Sequence, residues 1–321
     1  MKINWYLIRS GRLHEQPTPK GWPADDIPKL GESWFDIEDA KPEELKSFLE
    51  HLDLHPVMIK RCLDSANTPG VISYHQAVLL EFPAALNLES TDQPYLTIIL
   101  KAAVLVTIRT GPMPTIKEVI DNLVSEKMPS LSHLTQIVYL ILDGLTDLSV
   151  QAETDLRNQT LILIKTLANN PENIKPDDFN NIRWKVDKLI SLIENQLYCI
   201  TSLNASDNEA LQEPHRKAYV QDLLSEIEIA QRGIHSLEGR INSLYDSYQI
   251  VGNSRVEKRL RILTIVSAIT LPFGLIAGLL GMNVGGVPAT QNPQGFMIVI
   301  VLLGAIGAVE LWYFKKRGWL D

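Results

Sequence analysis

An α/β N-terminal domain, followed by long α-helices and two C-terminal transmembrane helices, is the fold class this sequence predicts. Three observations predict it. Short β-branched and aromatic runs separated by turn residues fill residues 1–114. Apolar residues then recur at three- and four-residue steps. Finally, from Ile262 to Val309, about 48 residues, there is no Asp, Glu, Lys, Arg or His; a soluble domain with a solvated surface rarely leaves such a gap.

The composition fits this division. At 321 residues the chain suits two or three units. With 45% hydrophobic and 21% charged residues it can bury a sizeable core. The net charge of −8 argues against a general nucleic-acid binder, which needs a basic face to release counterions from phosphates. The two cysteines, Cys62 and Cys199, form no CxxC pair and read as reduced thiols. The short apolar run at the N-terminus ends at Arg9 and Arg12, so it reads as the start of a strand and not as a signal-peptide core.

Within residues 1–114, taken as the α/β cytoplasmic domain, NWYLI at 4–8, SWFDI at 33–37, VISYHQAVLLEF at 71–82 and YLTIILKAAVLVTIR at 95–109 read as strands. PEELKSFLEHL from Pro42 and PVMIKRCLD from Pro56 read as helices, each opening on the proline that a first helical turn tolerates. A mainly antiparallel or mixed sheet is expected. No glycine-rich loop follows a strand, so no nucleotide site is expected.

Residues 115–213 read as a helical hairpin region: TIKEVIDNLVSEK, a long stretch from Ser130 to Asn169, and DDFNNIRWKVDKLISLIENQLYCI, the last two divided at Pro171 to Pro176. From residue 214 to 281 a single stalk helix is expected to continue into the membrane. Leu223, Ile227, Ala230, Ile234, Leu237, Ile241, Leu244, Tyr248 and Val251 alternate steps of four and three, a seam of 3.5-residue period. An ordinary amphipathic helix packed on the soluble domain produces the same pattern, so the seam reads either way. No proline interrupts until Pro272, and at 1.5 Å per residue such a helix is roughly 100 Å long. Gly233, Gly239 and Gly252 each weaken it by about 1 kcal/mol relative to alanine, so neighbours must support it.

The membrane spans are residues 262–281 and 296–314, each about 30 Å long as a helix, the thickness of a bilayer core. Arg255, Lys258, Arg259 and Arg261 precede the first span; Lys315, Lys316 and Arg317 follow the second, in a basic tail over 315–321. Basic flanks stay inside, so both termini are expected in the cytoplasm, in the inner (plasma) membrane, with the uncharged loop 282–295 outside. Trp312, Tyr313 and Trp319 stand where aromatic rings favour the headgroup region.

At the outer end of the first span stands Gly281-Met282-Asn283, GMN, followed by a short polar loop, a second span and a final KKRGWL. In that setting the chain resembles the CorA-type divalent cation transporters, whose signature is GMN at this place. RLRILTIVSAITLPFGLIAGLLGMN is similar to the family's first transmembrane helix, and ILDGLTDLSVQAETDLRNQ to its helical hairpin region. The loop GMNVGGVP resembles the zinc-transporting ZntB-type branch more than the magnesium branch, which typically carries Met-Pro-Glu there; this loop has no acid, which removes a carboxylate ring from the outer mouth.

The resemblance implies a funnel-shaped homopentamer in which five copies of the first helix line one axial pore. A single helix pair encloses no polar path, because its backbone groups must be satisfied within the bilayer, so a channel has to come from oligomerisation. Gly281, Met282 and Asn283 would form the selectivity filter. A ring of Asn283 amides would accept hydrogen bonds from the water shell of a divalent ion and select without stripping it; Asn283 seen alone also suits a helix C-cap. Below it, steps of three and four pass Gly274, Leu271, Ser267, Thr264, Leu260 and Glu257, the expected pore lining. Ser267 and Thr264 offer hydroxyls, or else bond their own helix carbonyls. Leu271 and Leu260 would make apolar constrictions, and Glu257, where the family commonly has asparagine, would draw cations to the inner mouth beside Lys258 and Arg261.

No imidazole or thiolate faces this path, so zinc would pass hydrated, as would magnesium, cobalt or nickel. The ion is cargo; no cofactor is expected. The histidines His14, His51, His55, His75, His133, His215 and His235 are scattered, and no HExxH or nucleophile–base set emerges, so enzyme chemistry is not expected. Asp143 and Asp147 share a helix face and are candidates for a regulatory metal, though solvated surface is the plainer reading. Glu310 is the one ionisable residue between the two basic clusters. A membrane-anchored coiled-coil sensor or scaffold is the competing function; it accounts for the seam but leaves GMN without a purpose.

Overall fold

The computed structural model describes residues 2–17, 31–64, 68–84, 87–90, 93–125, 133–211, 216–282 and 294–319. The chain divides into two units, Met1–Leu244 and Tyr245–Asp321.

The first unit is built on a seven-stranded mixed sheet of order β2-β1-β3-β7-β6-β5-β4. Its strands are β1 Lys2–Arg9, β2 Arg12–Gln16, β3 Ser33–Glu38, β4 Gly70–Tyr74, β5 Ala77–Pro83, β6 Tyr95–Lys101 and β7 Val104–Arg109. Among the described residues only β3 and β7 pair in parallel, Asp36 opposite Thr107 and Glu38 opposite Arg109. Two corrections to the expected strands follow. The run 71–82 folds as two strands turning at His75-Gln76, and 95–109 as two turning at Ala102-Ala103; His75 and Ala102 take positive φ, 47° and 46°, to make two-residue hairpin loops. The sheet also gains β2, an edge strand whose Leu13 alone is buried. It pairs with β1 through Ser10 and Gly11, both in the left-handed region at φ 54° and 75°.

The helices of this unit are α1 Pro42–His51, α2 Pro56–Leu63, α3 Pro114–Val124, α4 Leu134–Asn169, α5 Pro176–Ala205 and the first part of α6, which runs from Arg216 to Leu280. Proline opens α1, α2, α3 and α5 at the first helical position, where its missing N–H has no partner to lose. Asp178 closes the start of α5 by accepting the Lys175 N–H at 2.9 Å. Because side chains alternate along a strand, one sheet face turns Trp5, Leu7, Phe35, Ile37, Leu79, Ile99 and Val106 onto Phe48, Leu49 and Met58 of α1 and α2. The other face is covered by α3 and α5, with α4 packed on both.

The seam on α6 is settled by burial. Leu223, Ile227, Ala230, Ile234, Leu237 and Ile241 are each 3% exposed or less within one chain. The helix lies against α4, where Tyr219 stacks on Tyr139 at 5.3 Å, and beside α5, where His235 faces Glu194 at 3.6 Å. From Leu223 to Leu244 the periodicity therefore serves packing on the chain's own first unit. Gly233 of α6 lies close against α4: a Cβ there would stand 2.9 Å from Glu153 Oε1.

In the second unit α6 continues through Pro272 to Leu280, and α7 spans Gly295–Lys316. Both helices are long and apolar enough to cross a membrane. They meet at Gly307, where a Cβ would approach Phe273 Cζ to 3.2 Å.

Candidate ion path along the first membrane helix

The pairing of α6 with α7 sorts the residues of α6. Ile265 is buried, and Arg261, Ala268, Ile269, Pro272, Phe273 and Ile276 are half-buried. Glu257, Leu260, Thr264, Ser267, Leu271 and Gly274, the residues expected to line a pore, are all exposed, Leu271 at 69%. They form one stripe of 3.5-residue period along the helix, so within one chain α7 leaves the whole stripe open.

The chemistry of that stripe is mixed. Thr264 donates its hydroxyl to Leu260 C=O at 2.8 Å, which leaves its oxygen lone pairs outward. Ser267 makes no such bond among the described residues, so its hydroxyl is available. Proline at 272 brings no N–H, so the carbonyl of Ala268 lacks its usual helical donor. At the C-terminal end of α6, Gly281 N–H bonds Ala277 C=O at 2.9 Å; a Cβ on Gly281 would press that same oxygen at 3.2 Å, which explains glycine at the helix end. Met282 is exposed, and Asn283 lies outside the described residues. Glu310 of α7 is half-buried, and its Oε2 is enclosed without a hydrogen-bond partner among the described residues.

In the first unit, Asp143 on α4 meets Asp222 and Glu226 on α6, with one carboxylate oxygen of each within 4.8 Å of the others. Asp147, one turn along α4, adds its field. Burial first, then Asp147 and Asp222, raises the pKa of Asp143; burial first, then Asp143, Asp147 and Asp222, raises that of Glu226. Three converging carboxylates are a hard oxygen set of the kind that holds a divalent cation. Asp143 and Asp147 were legible as a spaced pair; their partners lie about 80 residues on and are joined to them only by the fold.

The remaining candidates separate. Cys199 is buried, donates its thiol to Glu81 C=O at 3.3 Å and has its pKa pushed up to about 12 by desolvation; desolvation, then Glu81, does the same for Cys62. His51 bonds Ser47 C=O within α1, whereas His55 caps α2 and stacks on Tyr74 at 4.0 Å, so the pair is divided between different tasks. His215 lies outside the described residues.

Residues 31–316 match the family model described as CorA-like Mg2+ transporter protein. The chain belongs to that family. It is 22% identical to the divalent cation transporter CmaX of Pseudomonas aeruginosa, over 89% of this chain and 87% of that protein. To the zinc transport protein ZntB of Vibrio parahaemolyticus it is 23% identical, over 90% and 89% of the two chains. Among solved structures, the complete CorA magnesium transporter of Methanocaldococcus jannaschii superposes with a TM-score of 0.82, covering 99% of both chains at 18% identity. That likeness shows the fold: an N-terminal α/β domain, long helices and two C-terminal apolar helices.

Proposed function

We propose that this CorA-family chain transports divalent metal cations through an axial pore built from α6 of a homopentamer in the inner (plasma) membrane, both termini being cytoplasmic. The observation that supports the reading is the stripe from Glu257 to Gly274, which leads along α6 toward the Gly281-Met282-Asn283 motif and is left exposed by its own chain. In lipid, hydroxyls and a carboxylate on an exposed stripe are costly, and copies of the same helix meeting around water remove that cost. Asn283 amides then serve as the hydrated-ion filter at the outer entrance, with Leu271 and Leu260 as constrictions that close by dewetting. Zinc is the proposed ion, on the likeness of the acid-free loop to the ZntB-type branch. Magnesium, cobalt and nickel share the same hydrated path.

Uptake into proteoliposomes tests this. Zinc entry abolished by Asn283→Ala supports the filter, and competition among zinc, magnesium, cobalt and nickel ranks the ions. No flux of any of them under a membrane potential would favour the scaffold function instead.

A further inference from the structure

The end of the helix pair at which α7 finishes is a built cap. Trp319 N–H bonds Phe314 C=O at 3.0 Å and Gly318 N–H bonds Lys315 C=O at 3.1 Å, with Gly318 at φ 67°, the Schellman ending of a helix. The Trp319 ring stacks on Phe314 at 5.6 Å. Lys316 lies over Trp312 at 5.2 Å and Arg317 over Tyr313 at 5.3 Å. From the other helix, Arg261 Nη1 reaches Gly318 C=O at 3.4 Å. This contact brings Arg261 of α6, with Lys258 one turn earlier, beside the end of α7, where Lys315, Lys316 and Arg317 stand. Among the described residues no carboxylate lies within ion-pair distance of any of these five.

Five basic side chains on the adjoining ends of two apolar helices raise a positive potential there that an anion relieves. The adjoining surface is hydrocarbon, with Ile262 and Leu311 exposed just above, so the complementary ligand is an anion carrying acyl chains. A zwitterionic headgroup brings its own cation and would not serve. We propose that this collar binds the phosphate of an anionic phospholipid, with Lys258, Arg261 and Arg317 on the phosphate and the chains along α6 and α7. The proposal rests on these two helices spanning a bilayer and is independent of which ion the protein carries.

Thermal unfolding of the full-length protein in a neutral detergent tests it, with phosphatidylglycerol, phosphatidylcholine or glycerol phosphate added. Phosphatidylglycerol should raise the melting temperature and the other two should not. In Lys258→Gln/Arg261→Gln/Arg317→Gln the half-saturating lipid concentration should rise roughly 100-fold, from the usual contribution of each basic residue at an anionic surface. Lys258→Gln/Arg317→Gln, which keeps the bond from Arg261 to Gly318, should show a rise of roughly 30-fold. Equal stabilisation by phosphatidylcholine, an equal response to glycerol phosphate, or an unchanged phosphatidylglycerol response in both variants overturns the proposal. Ion uptake measured in parallel separates the two readings: a phosphatidylglycerol response with no flux counts against transport alone.

Discussion

Gly307 of α7 faces the ring of Phe273 on α6, at a distance that leaves 3.2 Å between Cζ and a Cβ it does not carry. Helices in lipid gain little from hydrophobicity toward one another and depend on such close approach of small residues. Gly307→Leu should therefore wedge the hairpin apart and cost about 1–3 kcal/mol, the usual range for overpacking. Gly307→Ala should cost less, because the ring edge can give by a few tenths of an ångström. Melting in detergent measures both; unchanged melting for the leucine variant would show that the contact contributes nothing.

Arg109 grips Asp36 with Nε at 3.2 Å and Nη2 at 3.0 Å, and Thr107, itself bonded by Trp34 Nε1, and Asn4 also donate to this carboxylate, which has no exposed surface. This network ties β3 to β7 across their parallel pairing. Truncation after Val251 should leave a soluble, folded fragment, since the first unit closes at Leu244. In that fragment Arg109→Met should cost about 3–5 kcal/mol by stranding Asp36, and adding Asp36→Leu should restore part of the loss. Urea unfolding reads both effects. An insoluble fragment would show that the soluble part depends on the membrane helices.

The carboxylates at Asp143 and Glu226 make a pH-dependent demand on the fold. Each has its folded-state pKa raised above the ordinary 3.8 and 4.5, so the folded state holds more protons than the unfolded one over the interval between. Their contribution to stability is therefore fully present at acid pH and is lost as pH rises through the raised values. Asp143→Asn should raise the melting temperature of the fragment at pH 7 and change it little at pH 4. A divalent cation should have the same effect as the substitution at pH 7 and a smaller one in the variant. A pH-independent effect of Asp143→Asn would contradict the clustering.

What could be read before folding depended on whether the signal was local. The uncharged stretch and the helical periodicities depend on near neighbours, and the architecture follows from them. The hairpin turns at His75-Gln76 and Ala102-Ala103 carry none of the glycine or asparagine that usually marks such loops, so two strand pairs looked like two long strands. β2 buries one residue and shows no alternation. The seam on α6 had the same period for a coiled coil or for docking, and only the burial of Ile227 and Ile234 against the chain's own helices decided it. Asp222 and Glu226 joined Asp143 through tertiary contact, which spacing along the chain does not encode.

Cysteine accessibility in reconstituted membranes bears most directly on the central claim. With Cys62 and Cys199 replaced by alanine, single cysteines at Thr264, Ser267 and Leu271 should react with a membrane-impermeant thiol reagent applied from the aqueous side, because water reaches the stripe. Cysteines at Ile269 on the opposite side of α6 and at Val301 on α7 should stay unmodified. If all five positions are inert, or if Val301 reacts as fast as Ser267, the stripe faces lipid and α6 does not line a conduit.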